Sequence, residues 1–310
     1  MKKATVLGIL IVVALATGLL WVPGNAHASA RTAVWTESVA IQNVGNAPAN
    51  INMTFYSEGD GSPIPFNPLG DGNTLAPAAS ISVFVGNVSG LPSSFRGSAV
   101  LASDQPVVAT TIRFSQQSGV KVRMLSNGLR AEDTADQFLI ATVLENRFNE
   151  TTVFSVQNAE QVPVRATVRL YDADNNGQLA ATKTYDIPAG SSKLIEMDNP
   201  ADTGLPSSKT TFNGSAIISG ALVSNPSTPA RVAAAASELF TTKNVGADFE
   251  GMPLSRASNT VWMATALCQA YNNDTYYAVQ NASLSSSAQI TVQYYHTDGS
   301  AKATDGPYSI

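Results

Sequence analysis

Beyond residue 30 the chain alternates apolar and polar side chains in short runs separated by turns. Ile51, Met53 and Phe55 alternate with Asn52, Thr54 and Tyr56. Val164, Ala166, Val168 and Leu170 alternate with Arg165, Thr167 and Arg169, and Ile290, Val292 and Tyr294 with Gln289, Thr291 and Gln293. Period two with one apolar face predicts half-buried antiparallel strands. Each run leads into residues that tolerate positive φ, as hairpin turns require: Glu58-Gly59-Asp60-Gly61, Asn175-Asn176-Gly177 and Asp298-Gly299. Further strands are predicted near 80–86, 97–103, 107–114, 138–145 and 150–157. Counterparts follow one unit later, including 261–268 and 276–281. One segment pulls the other way. Arg231 to Phe240 carries an alanine run with helical propensity, yet it falls where Val107 to Phe114 is β-branched, so a strand is predicted for both.

Self-comparison shows why counterparts are expected. Residues 128–159 align without a gap on 251–282, with 10 of 32 pairs identical. Gln157-Asn158 aligns on Gln280-Asn281, and a third copy is Gln42-Asn43. Gly-Leu-Pro-Ser-Ser occurs at 90–94 and 204–208, each time followed by Phe-x-Gly-Ser-Ala, at 95–99 and 212–216. A fixed period with signatures in constant order is the mark of a tandem array. The chain therefore reads as a leader (1–30), two full units (31–136 and 137–259) and an incomplete third (260–310). About seven short strands per unit predict an all-β chain of tandem immunoglobulin-like β-sandwiches. The turn-rich stretches 117–137 and 241–260 read as the boundaries. The third unit stops short of the Gly-Leu-Pro and Phe-x-Gly-Ser-Ala signatures, which predicts either a fragment of a longer protein or completion by a strand from a neighbouring molecule.

The leader has a pattern of its own. Lys2 and Lys3 precede an apolar run over 4–22, Pro23 and Gly24 break it, and Ala26-His27-Ala28-Ser29-Ala30 supplies small residues for signal peptidase. Cleavage after Ala30, or secondly after Ala28, predicts an extracellular or cell-surface protein that meets the membrane only through the signal peptide during export. No cysteine follows the apolar run for lipid attachment.

Composition narrows the chemistry. The net charge of −5 becomes −7 without Lys2 and Lys3, sixteen cations against 23 acids, which argues against nucleic acid or an anionic membrane as the main partner. Only 13% of residues are charged, about half the usual share, while 44% are hydrophobic. Cys268 is the lone cysteine, so packed cores must supply the stability. His27 and His296 are the only histidines. No Gly-x-Ser-x-Gly, His-Glu-x-x-His or phosphate-loop motif is present, and no catalytic or cofactor-binding residue is assigned.

Gln-Asn-x-Gly at 42–45, Pro188-Ala189-Gly190-Ser191, Gly90-Leu91-Pro92 and Gly97-Ser98-Ala99 together resemble the signatures of large, uncharacterised secreted repeat proteins of filamentous, Chloroflexota-type bacteria. The resemblance spans 31–310. It implies a surface or extracellular location and no reaction.

The remaining candidates each have a plainer reading. Asp172-Ala173-Asp174-Asn175-Asn176-Gly177 matches the opening of a calcium loop, but the twelfth position, where a Glu is needed, is Lys183. It is read as an acidic hairpin turn, and no metal or other cofactor is assigned. Cys268 stands where the preceding copy has Glu145, which predicts an exposed, incidental thiol. Trp35, Trp262 and the pairs Tyr276-Tyr277 and Tyr294-Tyr295 offer aromatic faces for sugars, although one of each pair should face a core. Glu132-Asp133 and Asp248-Phe249-Glu250 read as solvated loops. Sequons at Asn52, Asn87, Asn149, Asn213, Asn273 and Asn281 need no special cause in a chain rich in Ser, Thr and Asn. The expectation is a non-catalytic secreted or cell-surface protein, structural or adhesive. Its expected partners are envelope or matrix polymers, or neighbouring copies. The alternatives are an extracellular carbohydrate-binding module, or spacer repeats of a larger enzyme.

Overall fold

The computed structural model describes residues 30–115, 117 and 122–310; the leader lies outside the described residues except for Ala30. The chain is all-β, built from antiparallel sheets. The first sandwich consists of β1 (Trp35–Asn43), β2 (Ile51–Ser57), β3 (Pro63–Phe66), β4 (Ser80–Phe84), β5 (Gly97–Ser103), β6 (Val107–Ser115) and β7 (Arg123–Asn127). Its sheets run β4-β1-β6-β7 and β3-β2-β5. The alternation seen in sequence places Ile51, Met53 and Phe55 inward against Ile41 and Val83 of the facing sheet, all buried.

The second sandwich holds β8 (Gln137–Glu145), β9 (Glu150–Asn158), β10 (Val164–Asp172), β11 (Gln178–Ile187), β12 (Ser192–Glu196), the one-turn helix α1 (Pro200–Thr203), β13 (Phe212–Leu222), β14 (Val232–Phe240), β15 (Gly246–Glu250) and β16 (Met252–Pro253). Its sheets run β11-β10-β13-β8-β16 and β12-β9-β14-β15. Phe138, Phe154, Phe212, Leu170, Ile195 and Ile218 fill its core. The first strand, β8, lies beside β13, and the seventh, β14, beside β9. In the constant-type immunoglobulin order the first strand lies with the second and fifth and the seventh with the sixth, so the two strands sit in each other's sheets. The alanine run is strand, as predicted: Val232, Ala234 and Ala236 face the core from β14, where small side chains fit between larger neighbours.

Two expectations need correction. The stretches 117–137 and 241–260 are not plain linkers, because β7 and β15 form the edges of their sheets there. Their polar composition reflects edge position, where one row of backbone groups goes unpaired. The segments 261–268 and 276–281 are not strands. In the second sandwich β8 and β9 are held by β12, β13 and β14, and no counterparts of these appear among the described residues 257–310. The only strands there are β17 (Gln289–Tyr295) and β18 (Ala301–Ser309), which form a hairpin. Local contacts nonetheless recur at the offset of 123. Thr152 Oγ1 accepts from Leu144 N–H, and Thr275 Oγ1 from Leu267 N–H, at 2.8 and 3.0 Å. Asn146, Phe148 and Asn149 have positive φ, and so do Gln269, Tyr271 and Asn272.

The Gln-Asn signature has a structural task. Asn43 is fully buried, donates to Ala47 O and Leu75 O at 2.8 Å, and accepts from Gly45 N–H. Asn158 is also fully buried, donates to Val162 O, Ile187 O and Pro188 O, and accepts from Glu160 N–H. Asn281 makes the related set with Ser286 O, Ile310 O and Ser283 N–H, but exposed to solvent. One carboxamide thus ties the end of a strand to the turn that follows and to the segment entering another strand, satisfying backbone groups that burial would otherwise orphan.

Candidate functional site

The two sandwiches interlock, and a concave feature lies at their junction. Register between β1 and β6 is unbroken, so Trp35, Glu37, Val39 and Ile41 share a face with Arg113, Ala109 and Val107. The half of this face with Val39 and Ile41 covers the first sandwich's own core. The other half overhangs β2, which ends at Ser57, and meets the outer face of the second sandwich's β12-β9-β14-β15 sheet. There Trp35 and Met124 pack with Val153, Leu194 and Leu239 in a third apolar cluster. Arg113 lies in the same contact: it pairs with Glu37 at 2.8 Å and Asp248 at 3.6 Å, and donates to Ser237 Oγ at 2.6 Å. Burial pushes the Asp248 carboxyl up, and the nearby Arg113 charge opposes it. Arg31 closes the rim, 2.7 Å from Asp198 and 3.2 Å from Glu196.

Beside this contact, the end of the β2–β5 sheet abuts the turn at 188–191. Ser98 Oγ donates to Gly190 O at 2.7 Å, and Ser191 Oγ donates to Ser57 O at 2.6 Å. Gly190 has φ +70°, and a Cβ there would stand 2.7 Å from the Tyr56 ring, so both the turn and the approach exclude a side chain.

A cleft of about 830 Å³ opens at the same junction, lined by Glu58, Phe95, Arg96, Tyr185, Asp186 and Lys193 among others. Its charges form a chain: Arg96 to Glu58 at 2.9 Å, Glu58 to Lys193 at 3.3 Å, Lys193 to Asp202 at 3.0 Å. Glu58 also accepts from Leu194 N–H. Burial raises the Tyr185 phenol above its ordinary value, with the Asp202 charge adding to it, and its hydroxyl donates to Asp202 O. Lys193 Nζ stands 5.8 Å from the Tyr185 ring centroid. A hydrogen bond from Arg165 holds Asp186 below the usual carboxylate range. These partnered groups offer hydrogen bonds to a polar ligand and present no unpaired nucleophile or base.

The sequence candidates fall elsewhere. Asp172 and Asp174 do lie together in the turn after β10, and each carries a cation: Lys209 at 2.8 Å from Asp172, Arg147 at 3.2 Å from Asp174. Asp174 also accepts from Asn213. Cys268 is exposed, whereas its counterpart Glu145 is buried and pushed up by that burial. Trp262 is 82%, Tyr271 89% and Tyr276 90% exposed, while Trp35 packs at the junction. In each of the two acidic clusters read as solvated loops one acid is instead structural, while Glu132 is exposed as read. Asp133 is buried and bonded to Arg130 and Arg256, and Asp248 belongs to the Arg113 contact. Sequence reasoning also missed a pair of neighbouring carboxylates, Glu150 and Glu238. Burial and the Glu238 charge push Glu150 up to about 6, and burial raises Glu238 against the hydrogen bond it accepts from Thr142. Neither lines the junction cleft.

Comparison with known proteins finds no matching family model, no matching curated protein and no matching solved structure.

Proposed function

We propose that the chain is a non-catalytic secreted or cell-surface protein, in which interlocked β-sandwich repeats serve as a structural or adhesive element. The observation that carries this reading is the junction. Two sandwiches are joined by a shared apolar cluster, a semi-buried ion network around Arg113 and reciprocal serine hydrogen bonds. That joint suits a spacer that must hold its geometry rather than a hinge that opens around a substrate. The recurrence of the Leu-Thr hairpin bonds at an offset of 123 supports the tandem-repeat reading, and the leader and the resemblance to secreted repeat proteins support export. Protease shaving of intact cells that express the chain should release it from the surface, and isolated envelope polymer should retain it. Confinement to the cytoplasm, or turnover of a substrate by the purified chain, would overturn the proposal.

A second reading, carbohydrate binding, is favoured by the exposed Trp262, Tyr271 and Tyr276 and by the polar junction cleft. Aromatic faces stack on sugar rings and bonded polar groups orient hydroxyls. Reproducible glycan-array binding that Trp262→Ala abolishes would favour it over a pure spacer.

A further inference from the structure

We propose that the segment 260–268 of one copy adds as a strand to the edge of β5 in a second copy, joining chains head to tail. The second sandwich contains the template. There β8 pairs antiparallel with β13: Glu145 opposite Phe212, Val143 opposite Gly214, Ile140 opposite Ala216, Leu139 opposite Ile217 and Phe138 opposite Ile218.

The acceptor is present in the first sandwich. β5 carries the same Phe-x-Gly-Ser-Ala sequence as β13, and Gly97 and Gly214 share one backbone situation. A Cβ on Gly97 would stand 1.9 Å from Tyr56 O, and one on Gly214 1.9 Å from Tyr171 O. What differs is the neighbour. β13 is flanked by β10 and β8, whereas β5 is flanked by β2 alone among the described residues. Burial records the difference: Ala216, Ile218 and Phe212 are buried, while Ala99 is exposed and Leu101 and Phe95 are only half-buried. Val100, outward like Ile217, is 43% exposed where Ile217 is 4% exposed.

The donor is present in the third unit. Residues 260–268 align on β8 at the offset of 123, so Val261, Met263 and Ala266 take the places of the core residues Phe138, Ile140 and Val143. Among the described residues no N–H from Val261 to Ala266 donates to any acceptor, and Val261 and Trp262 are 65% and 82% exposed. The segment has unspent N–H groups from Val261 to Ala266, β5 is paired on one side only, and strand addition satisfies both. The template register carries over as Met263 opposite Ala99, Trp262 opposite Val100 and Val261 opposite Leu101. Donor and acceptor are different patches of the chain, so a single contact is heterologous and leaves a free donor on one copy and a free acceptor on the other, through which further copies join. The inference gives the structural reading its partner, a second copy, but it stands on strand register alone. Surface shaving does not read it, so the two can fail separately.

The test is a crosslink between positions that antiparallel pairing brings within about 4.5–5.5 Å at Cα. In the full chain with Cys268→Ser, Val100→Cys and Trp262→Cys are introduced together and separately. Mild oxidation of the double variant should give a ladder on a non-reducing gel, and mixing the two single variants should give a dimer that neither gives alone. The Ala264→Pro change should remove the ladder and any concentration-dependent rise in sedimentation mass, leaving the monomer's circular dichroism unchanged, because a proline cannot donate within an added strand. A crosslinked monomer from the double variant, meaning closure within one chain, would overturn the proposal. So would the absence of crosslinking, or a ladder that survives the proline.

Discussion

Arg113 of the first sandwich donates to Ser237 Oγ of the second across 2.6 Å, and Ser237 donates in turn to Asp248 at 2.6 Å. The guanidinium thereby faces two carboxylates, Glu37 on its own sheet and Asp248 on the neighbouring one. Asp248 has a side chain only 5% exposed, so the arginine is its main compensation. Breaking a buried pair from one side leaves an uncompensated charge. Arg113→Ala should therefore destabilise the chain by about 3 kcal/mol at neutral pH in a denaturant melt. Arg113→Ala with Asp248→Asn should recover part of that loss. Equal melts for the single variant and the unmodified chain would show the network to be idle.

The turn before β4 offers a stabilising change. Asn43 N–H donates to Ala79 O, and Asn158 N–H to Ser191 O, so Ala78 occupies the place that Gly190 holds in the second sandwich. Ala78 has φ +62° and Gly190 φ +70°. A Cβ in that region costs about 1–2 kcal/mol, against about 0.5–1 kcal/mol of extra unfolded-state entropy for glycine. Ala78→Gly should raise stability by about 0.5–1 kcal/mol. A lower melting temperature would contradict the turn assignment.

The signature asparagines Asn158 and Asn281 should differ in worth. Asn158→Ala removes three donated bonds and one accepted bond at a buried site, and should cost about 2–4 kcal/mol because buried carbonyls lose their donors. Asn158→Asp should be no better, since a carboxylate has no N–H to give. Asn281→Ala, whose bonds are exposed, should cost less than about 1 kcal/mol, as water replaces the lost partner. Chemical denaturation of the three variants reads the order directly.

Strands and turns were legible because period-two alternation and positive-φ residues are local signals. Ile51, Met53 and Phe55 point inward as read, and so do Val164, Ala166, Val168 and Leu170. Even the alanine run at 233–236 yielded to comparison with the β-branched run at 107–114, since Val232–Phe240 is strand. What covers a face is a non-local fact. Nothing in Trp35 or Arg113 says that half of their strand face meets another sandwich. Likewise the segment 261–266 keeps the pattern of β8 without being a strand, because pairing needs a neighbour that a sequence pattern does not reveal. The acid at 248 was misread for the same reason, since its cation is Arg113, more than a hundred residues away, and Asp133 adds the equally distant Arg256 to its local partner Arg130. The Gln-Asn signature was visible as a repeat marker, but its role as a buried tie emerges only with the carbonyls around it.

The Glu150–Glu238 pair makes stability depend on pH in a calculable direction. Glu150 is half-buried, and burial, followed by the Glu238 charge, lifts it from an ordinary 4.5 to about 6. The folded state thus holds its proton more tightly than the unfolded one. The stability this confers is fully present below about pH 4.5 and is lost as pH rises through about 6. Glu238 is shifted in the same direction, so the two losses reinforce each other. Glu150→Gln removes the charge that must otherwise form beside Glu238. The variant should match the unmodified chain near pH 4 and exceed it at pH 7–8, by up to about 1 kcal/mol once solvent screening of the half-exposed group is allowed for. Melting curves at intervals from pH 4 to 8 test this. A variant equally stabilised at both ends would show a packing effect rather than a charge effect, and one destabilised at pH 8 would reverse the assigned sign.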